Sequence, residues 1–345
     1  MSTPATAAPG RDTRETTLLW VITAGWLVLG MTAVGATVTG TLPRAYQYVP
    51  LLVSVAVLGL PHGAVDHLLI PRWREERPSL QWFGVIAGVY LVVGSLYAVV
   101  WFLVPVLAVG VFILVTWYHW GAGELYPLRE FAGVDYLGGR TAQVLTVLVR
   151  GGAPMLIPLV AFPTEYQFVA DSLVGLFDAG AADALTPVFS RSARIAVGVV
   201  YTGCAVGALG LGYVRTETPA AWRVDAIEVT VLIGFFLLVP PILAIGVYFC
   251  FWHSLRHVAR TVLLHGPSAA AVERGEIVSA AQQFGRDAAP LTAASVALLG
   301  GLYALVPADP TELSGLVGLY LVLIAVLTLP HVVVVSWLDR EQGVL

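Results

Sequence analysis

"DAIEVTVLIGFFLLVPPILAIGVYFCFWHSLRHVARTV", residues 225–262, runs almost without interruption through apolar side chains. A membrane-spanning helix needs about 20 apolar residues, so this stretch is too long for one span. Pro240-Pro241 divides it, because proline removes a helix hydrogen bond and clashes with the preceding turn. Two helices with a tight turn are expected, a rather short one over 225–240 and another over 241–262. Similar runs recur along the 345-residue chain, which is 58% hydrophobic and only 12% charged, where a soluble domain carries about 25% charged residues. The runs are continuous rather than alternating, which favours helices over a barrel. The expected fold is an all-α, polytopic integral membrane helical bundle of about ten transmembrane helices. The spans are 18–40, 48–70, 82–104, 105–126, 141–162, 193–213, 225–240, 241–262, 289–307 and 313–337. Residues 1–17 read as a disordered tail, 18–345 as a single transmembrane domain, and 163–192 and 263–288 as connecting loops. The first apolar run is too long for the core of a signal peptide.

The net charge of −4 argues against nucleic acid as a partner. All 18 basic residues are arginine. With the N-terminus inside, cytoplasmic segments hold thirteen of them: Arg11, Arg14, Arg72, Arg74, Arg77, Arg129, Arg140, Arg215, Arg223, Arg260, Arg274, Arg286 and Arg340. The other side holds Arg44, Arg191 and Arg194. This positive-inside bias places both termini in the cytoplasm of a multi-pass protein of the cell membrane. Arg150 and Arg256 fall within spans; the first is expected to pair with a carboxylate or line a polar cavity, the second to snorkel. A chain without lysine cannot bind an aldehyde as a lysine Schiff base, which excludes a retinal-binding opsin. Cys204 and Cys250 read as free buried thiols.

The histidines carry the chemistry. His62 in "GLPHGAVDHLLI", His119 in "TWYHWGAGELY", His253 and His257 in "FCFWHSLRHVAR" and His331 in "LTLPHVVVVSW" lie on even-numbered spans. All stand about five to nine residues from the inner end, a slab roughly 6 Å thick at about 1.5 Å per residue. His253 and His257 share a face at i and i+4 and can chelate one ion. A single membrane histidine is more often a helix–helix hydrogen bonder, but four at one depth favour a metal site of His62, His119, His253 and His257. Asp66, four residues after His62, is expected to orient that imidazole. Glu124 is a weaker candidate for the same role toward His119, and His331 is kept as a possible site residue. His67 is rotated about 140° from His62 at about 100° per residue; with His265 it is expected at the membrane–water boundary.

Imidazole suits zinc, copper, iron and nickel. An iron(II) ion with open positions would bind O2 and attack an apolar substrate from within the bilayer. Trp117, Tyr118, Trp120, Tyr248 and Trp252 are expected to line a site for a long, flat polyene. Two other functions fit part of the pattern. A haem-binding electron-transfer protein would need histidines on opposite faces, which the i, i+4 pair disfavours. A histidine-lined metal transporter would want ligands through both halves of the bilayer. A di-iron desaturase is disfavoured because its HxxHH box is absent.

"GLPHGAVDH", "WYHWG" and "FWHSLRH", in that order on a polytopic chain and with "LPHVVVVSW" near the end, resemble the Brp/Blh family of β-carotene 15,15'-dioxygenases. PHGxxDH is the most specific of these motifs and WHxxRH the next, and the resemblance covers about residues 50 to 337. It implies non-haem Fe(II) held by His62, His119, His253 and His257. It also implies cleavage of the central double bond of β-carotene with O2 into two retinal molecules.

Overall fold

The computed structural model of the chain describes residues 9–40 and 42–345. Among them every regular element is a helix, as the unbroken apolar runs require. Among the described residues eight helices are long and apolar enough to cross a membrane: Thr16–Thr39, Leu80–Leu103, Pro105–Glu130, Arg140–Ala161, Arg191–Arg215, Pro241–Val262, Ile277–Leu305 and Leu313–Glu341. They correspond to eight of the ten expected spans. The chain breaks at Val104, which is non-helical ahead of Pro105, and at Val239-Pro240, which is extended. Of the expected tail, residues 1–8 lie outside the described residues, and a helix Pro9–Thr39 begins within the rest.

The other two expected spans depart from the sequence reading. Residues 219–238 form a 20-residue helix, not a short one, but it carries Arg223, Asp225 and Glu228 and is not among the eight apolar helices. Residues 48–70 do not form one helix at all. They fold as Val49–Val53, Gly59–Gly63 and the start of Asp66–Trp73, separated by turns. Leu58 sits at φ +62°, ψ −45°, and the Gly59 N–H bonds to the Val57 carbonyl at 2.7 Å. This is the strained hand of the γ-turn, rare for any residue with a side chain. A Cβ on Gly59 would stand 2.3 Å from the Ser54 carbonyl oxygen, so only glycine fits there. Irregular backbone at membrane depth is tolerated where protein buries it, and Gly59, Leu60, Pro61 and His62 are all buried.

The stretch 163–192, expected as a loop, contains a helix Pro163–Gly175 and a 3-10 segment Ala182–Phe189. Within the expected loop 263–288 lie a helix Pro267–Glu273 and the first turns of Ile277–Leu305. Polar side chains in these stretches masked helices that pack against the bundle.

Several chain ends meet at one end of the molecule. Arg74 pairs with Glu341 at 2.5 Å, Arg260 with Asp339 at 2.7 Å, and Arg129 donates to the carbonyls of Gly343 and Val344. Arg72 pairs with Asp287 at 2.5 Å. These arginines, counted above on one side of the membrane, therefore share an end with residues 339–344.

A buried ion network joins the helices behind the site. Arg150 reaches Glu124 at 2.6 Å, Asp225 at 2.5 Å and Glu228 at 2.8 Å; Arg256 reaches Glu124 at 2.8 Å and also pairs with Glu228. The indoles of Trp252 and Trp26 donate to Glu124 and Glu228, and the Tyr136 hydroxyl to Asp225. Arg150 therefore pairs with carboxylates, as expected. Arg256 does not snorkel; its guanidinium lies 3.9 Å over the Trp252 ring, inside the protein. The helices Pro105–Ala122 and Arg140–Ala161 also meet backbone to backbone. A Cβ on Gly151 would stand 2.0 Å from the Trp117 carbonyl oxygen, and one on Gly121 2.2 Å from that of Val147. Small residues permit such approach between membrane helices.

Arg150→Met is expected to lower stability by about 3–5 kcal/mol, because it strands buried carboxylates. Unfolding of the detergent-solubilised protein monitored by circular dichroism measures this. Gly151→Ala, which must push the two helices apart, is expected to lower the unfolding midpoint more than Gly210→Ala, where the added methyl meets nothing within 4 Å.

Candidate metal centre

Four segments bring five histidines together. His62 comes from Gly59–Gly63 and His119 from the last turn of Pro105–Ala122. His253 comes from a π-helical stretch, Phe249–Ser254, and His257 from the helix that follows it. His331 follows Pro330 inside Leu313–Glu341. A π turn inserts an extra residue into a helix and is frequent at functional sites; here it falls on the segment that carries His253. A second π stretch, Tyr90–Gly94, faces the same site through Tyr90.

All five rings are buried. The centroid of His62 lies 5.4 Å from His253, 5.4 Å from His257 and 5.0 Å from His331. His119 lies 4.7 Å from both His253 and His331, and His253 lies 6.5 Å from His257. The possible ligand atoms of His62, His119 and His331 all fall within 4.8 Å of one another, as do those of Asp66, His257 and His331.

The polar accounting identifies what the rings face. Nε2 of His119, His253, His257 and His331 is buried without a hydrogen-bond partner. A buried polar atom normally has one, and four such nitrogens in one cluster fit a bound cation. His62 Nδ1 meets the Gly59 carbonyl oxygen. A carbonyl only accepts, so Nδ1 carries the proton and Nε2 keeps the lone pair that a metal needs. The γ-turn at Leu58 thus sets up both the position and the tautomer of His62.

The two residues expected to orient ligands are placed differently. Asp66 makes no hydrogen bond to His62; the helix breaks at Ala64-Val65, so their spacing of four no longer puts them on one regular helix face. Its Oδ2 instead meets His331 Nδ1 at 2.8 Å and accepts from the Tyr90 hydroxyl at 2.6 Å. Glu124 belongs to the ion network and has no hydrogen bond to His119. Because the two arginines saturate it, it braces the turn after the His119 helix.

A cavity of about 570 Å³ opens onto the cluster and touches His62, His119, His253 and His331. His257 is not part of its wall. Its lining is mostly apolar. One wall is built by Ala87, Leu91 and Ala98, another by Leu291, Ala294 and Leu298, and a third by Val317, Leu321 and Leu327. Tyr166, Phe168 and Leu173, from the helix Pro163–Gly175, also line it. Among the expected aromatic residues only Trp120 lines this cavity. Trp117 donates to the Leu148 carbonyl, Tyr118 turns outward toward Ser336, and Tyr248 and Trp252 pack behind the site. Residues adjacent to a histidine on a helix point about 100° away from it, which flanking position alone does not convey. His67, expected at the boundary, lines the cavity with its ring 5.7 Å from Phe83.

Comparison with known proteins identifies the family of the chain. The sequence pattern of the family described as "Beta-carotene 15,15'-dioxygenase" matches residues 53–339, a stretch that contains all five histidines. The chain belongs to that family. It is 45% identical over 343 residues to "Probable beta-carotene 15,15'-dioxygenase Blh" of Halobacterium salinarum, covering 99% of this chain and 98% of that one. It is 30% identical over 324 residues to "Probable beta-carotene 15,15'-dioxygenase Brp" of the same species, covering 90% and 89%. No solved structure matches the chain.

Titration of the purified protein with Co(II), followed by its ligand-field absorption, is expected to saturate at about one ion per chain, the count that one imidazole cluster implies. His119→Ala is expected to weaken that binding at least about tenfold, the loss typical of removing even an outer-shell partner.

Proposed function

We propose that the protein cleaves the central 15,15' double bond of β-carotene with O2, giving two molecules of retinal, at a non-haem iron(II) held by His62, His119, His253 and His257. The observation that supports this most directly is the group of unpartnered imidazole nitrogens at one side of an apolar cavity, in a chain of this family. The donor set fits iron: all-nitrogen imidazole ligation with positions left open is suited to Fe(II), and no carboxylate is needed. Iron(II) held by these residues would activate O2 toward an alkene without net change in its own oxidation state, since the four electrons that O2 takes up come from the two alkene carbons. Scission breaks one C=C bond, and each carbon takes one oxygen atom, so the atoms of one O2 are distributed between two aldehydes.

The chain's own residues supply position and dryness. The mostly apolar cavity walls suit a polyene and disfavour water beside the reacting atoms. Trp120 packs 5.6 Å from the His253 ring and 4.8 Å from Tyr248, which fixes that imidazole from one side. His62 is held by the Gly59 carbonyl and by Ser254 Oγ at 3.2 Å.

The alternatives from the sequence fit less well. Five rings with centroids 4.7–6.5 Å apart fill the space that a porphyrin plane would need. An apolar cavity gives an ion no polar path across the bilayer. The protein is read as a multi-pass component of the cell membrane, with its polyene substrate drawn from the lipid and both termini in the cytoplasm. That sidedness accords with the arginines gathered beside residues 339–344.

Expression in carotene-producing cells is expected to bleach them and to yield retinal, measured by chromatography. His253→Ala should abolish bleaching while the protein still inserts into membranes; bleaching at the normal rate would remove His253 from the ligand set. Ala98→Phe, which fills part of the cavity wall, should slow cleavage and leave Co(II) binding intact.

A further inference from the structure

From the geometry of the cluster we infer that His331 is a fifth metal ligand, bound through Nε2, and that Asp66 and Tyr90 are the positioning residues that present it. The inference rests on the iron site proposed above and extends it.

His331 is the member common to both groups of gathered ligand atoms, His62–His119–His331 and Asp66–His257–His331. Its ring lies 4.7 Å from His119, 5.0 Å from His62 and 5.3 Å from His257, so it stands at the middle of the cluster. Its Nε2 is buried and has no hydrogen-bond partner, like those of His119, His253 and His257.

The hydrogen bonds fix its tautomer. Asp66 Oδ2 lies 2.8 Å from His331 Nδ1 and 2.6 Å from the Tyr90 hydroxyl oxygen. A carboxylate only accepts, so both the phenol and Nδ1 donate to it. Nδ1 therefore carries the ring proton, and Nε2 presents a lone pair to the centre of the cluster. A carboxylate behind a metal-bound imidazole in this way orients the ring and raises its basicity.

The backbone supports the same placement. Pro330 interrupts the helix ladder one residue before His331. Gly63 lies directly against the ring, since a Cβ there would be in van der Waals contact with His331 Nδ1 at 3.5 Å. Tyr90 opens the π stretch Tyr90–Gly94. Four of the five rings border the cavity, so a metal held among them would face it.

The test uses the full-length protein, purified in detergent and stripped of metal, then titrated anaerobically with Fe(II) and separately with Co(II). His331→Ala is expected to weaken metal binding at least about tenfold and to change the Co(II) ligand-field spectrum, with partial restoration by added imidazole. Asp66→Asn keeps the ring in place and should shift the same spectrum with a smaller loss of affinity, and Tyr90→Phe smaller still. If His331→Ala does not fold, the Asp66→Asn and Tyr90→Phe spectra decide. His265→Ala, at an exposed position, should match the wild type. Wild-type affinity and spectrum in His331→Ala, together with metal loss in His253→Ala, would overturn the fifth ligand and leave the iron site standing. A wild-type protein that takes up neither metal would overturn both.

Discussion

Charge neutralisation inside a hydrocarbon-embedded protein is the constraint on which the arrangement depends. Arg150 and Arg256 are buried, where an unpaired guanidinium would be very costly. Each is satisfied by carboxylates from other segments: Glu124 after the His119 helix, and Asp225 and Glu228 on Pro219–Leu238. Two of these residues stand near clustered histidines in sequence. Glu124 lies five residues after His119, and Arg256 lies between His253 and His257 with its guanidinium on Glu124, Glu228 and the Trp252 ring. The network therefore locks, from behind, the segments whose front faces carry imidazoles. Its cost is met by its completeness, since loss of one partner leaves the others exposed to a medium that cannot solvate them.

The front of the site has a second anchor of a different kind. Leu58 holds a backbone conformation that side-chain-bearing residues rarely adopt, and Gly59 touches Ser54 more closely than any other residue could. Strain of this sort persists only where the surroundings over-determine it. Here Ser54 is buried and its Oγ lies 2.8 Å from the Tyr320 hydroxyl, on the helix that also carries His331. Strain, a tautomer-fixing carbonyl and the helix that carries His331 are thus coupled through a few contacts.

The fold class could be read from the chain because the apolar runs are long and prolines mark their breaks at 105 and 240–241. The five histidines could be grouped because they occur at similar depths, although His62 reached its place through a broken segment and not a straight helix. What stayed hidden depends on contacts between residues far apart in sequence. Asp66 was matched to His62 by a spacing of four, but the helix does not continue between them, and its partner is His331. Adjacency to a histidine does not show which aromatic residues line the cavity, whose wall includes Leu91 and Leu298 on helices without a clustered histidine, and Phe112 and Leu321 about two turns or more before His119 and His331 on theirs. The helix Pro163–Gly175 was missed because its polar residues dilute the apolar signal.

The two π stretches, Phe249–Ser254 and Tyr90–Gly94, have a bearing on how such a chain can change. Each offsets the phase of its helix by about one residue, so the portions before and after it present faces that a regular helix would not align. Deleting a single residue within either stretch would let the ladder close up and swing everything on one side by about 100°. For the first stretch that would carry His253 and Trp252 out of step with His257; for the second it would turn Tyr90 away from Asp66. Chain length at these two places is therefore constrained by mechanics, apart from whatever the individual side chains do.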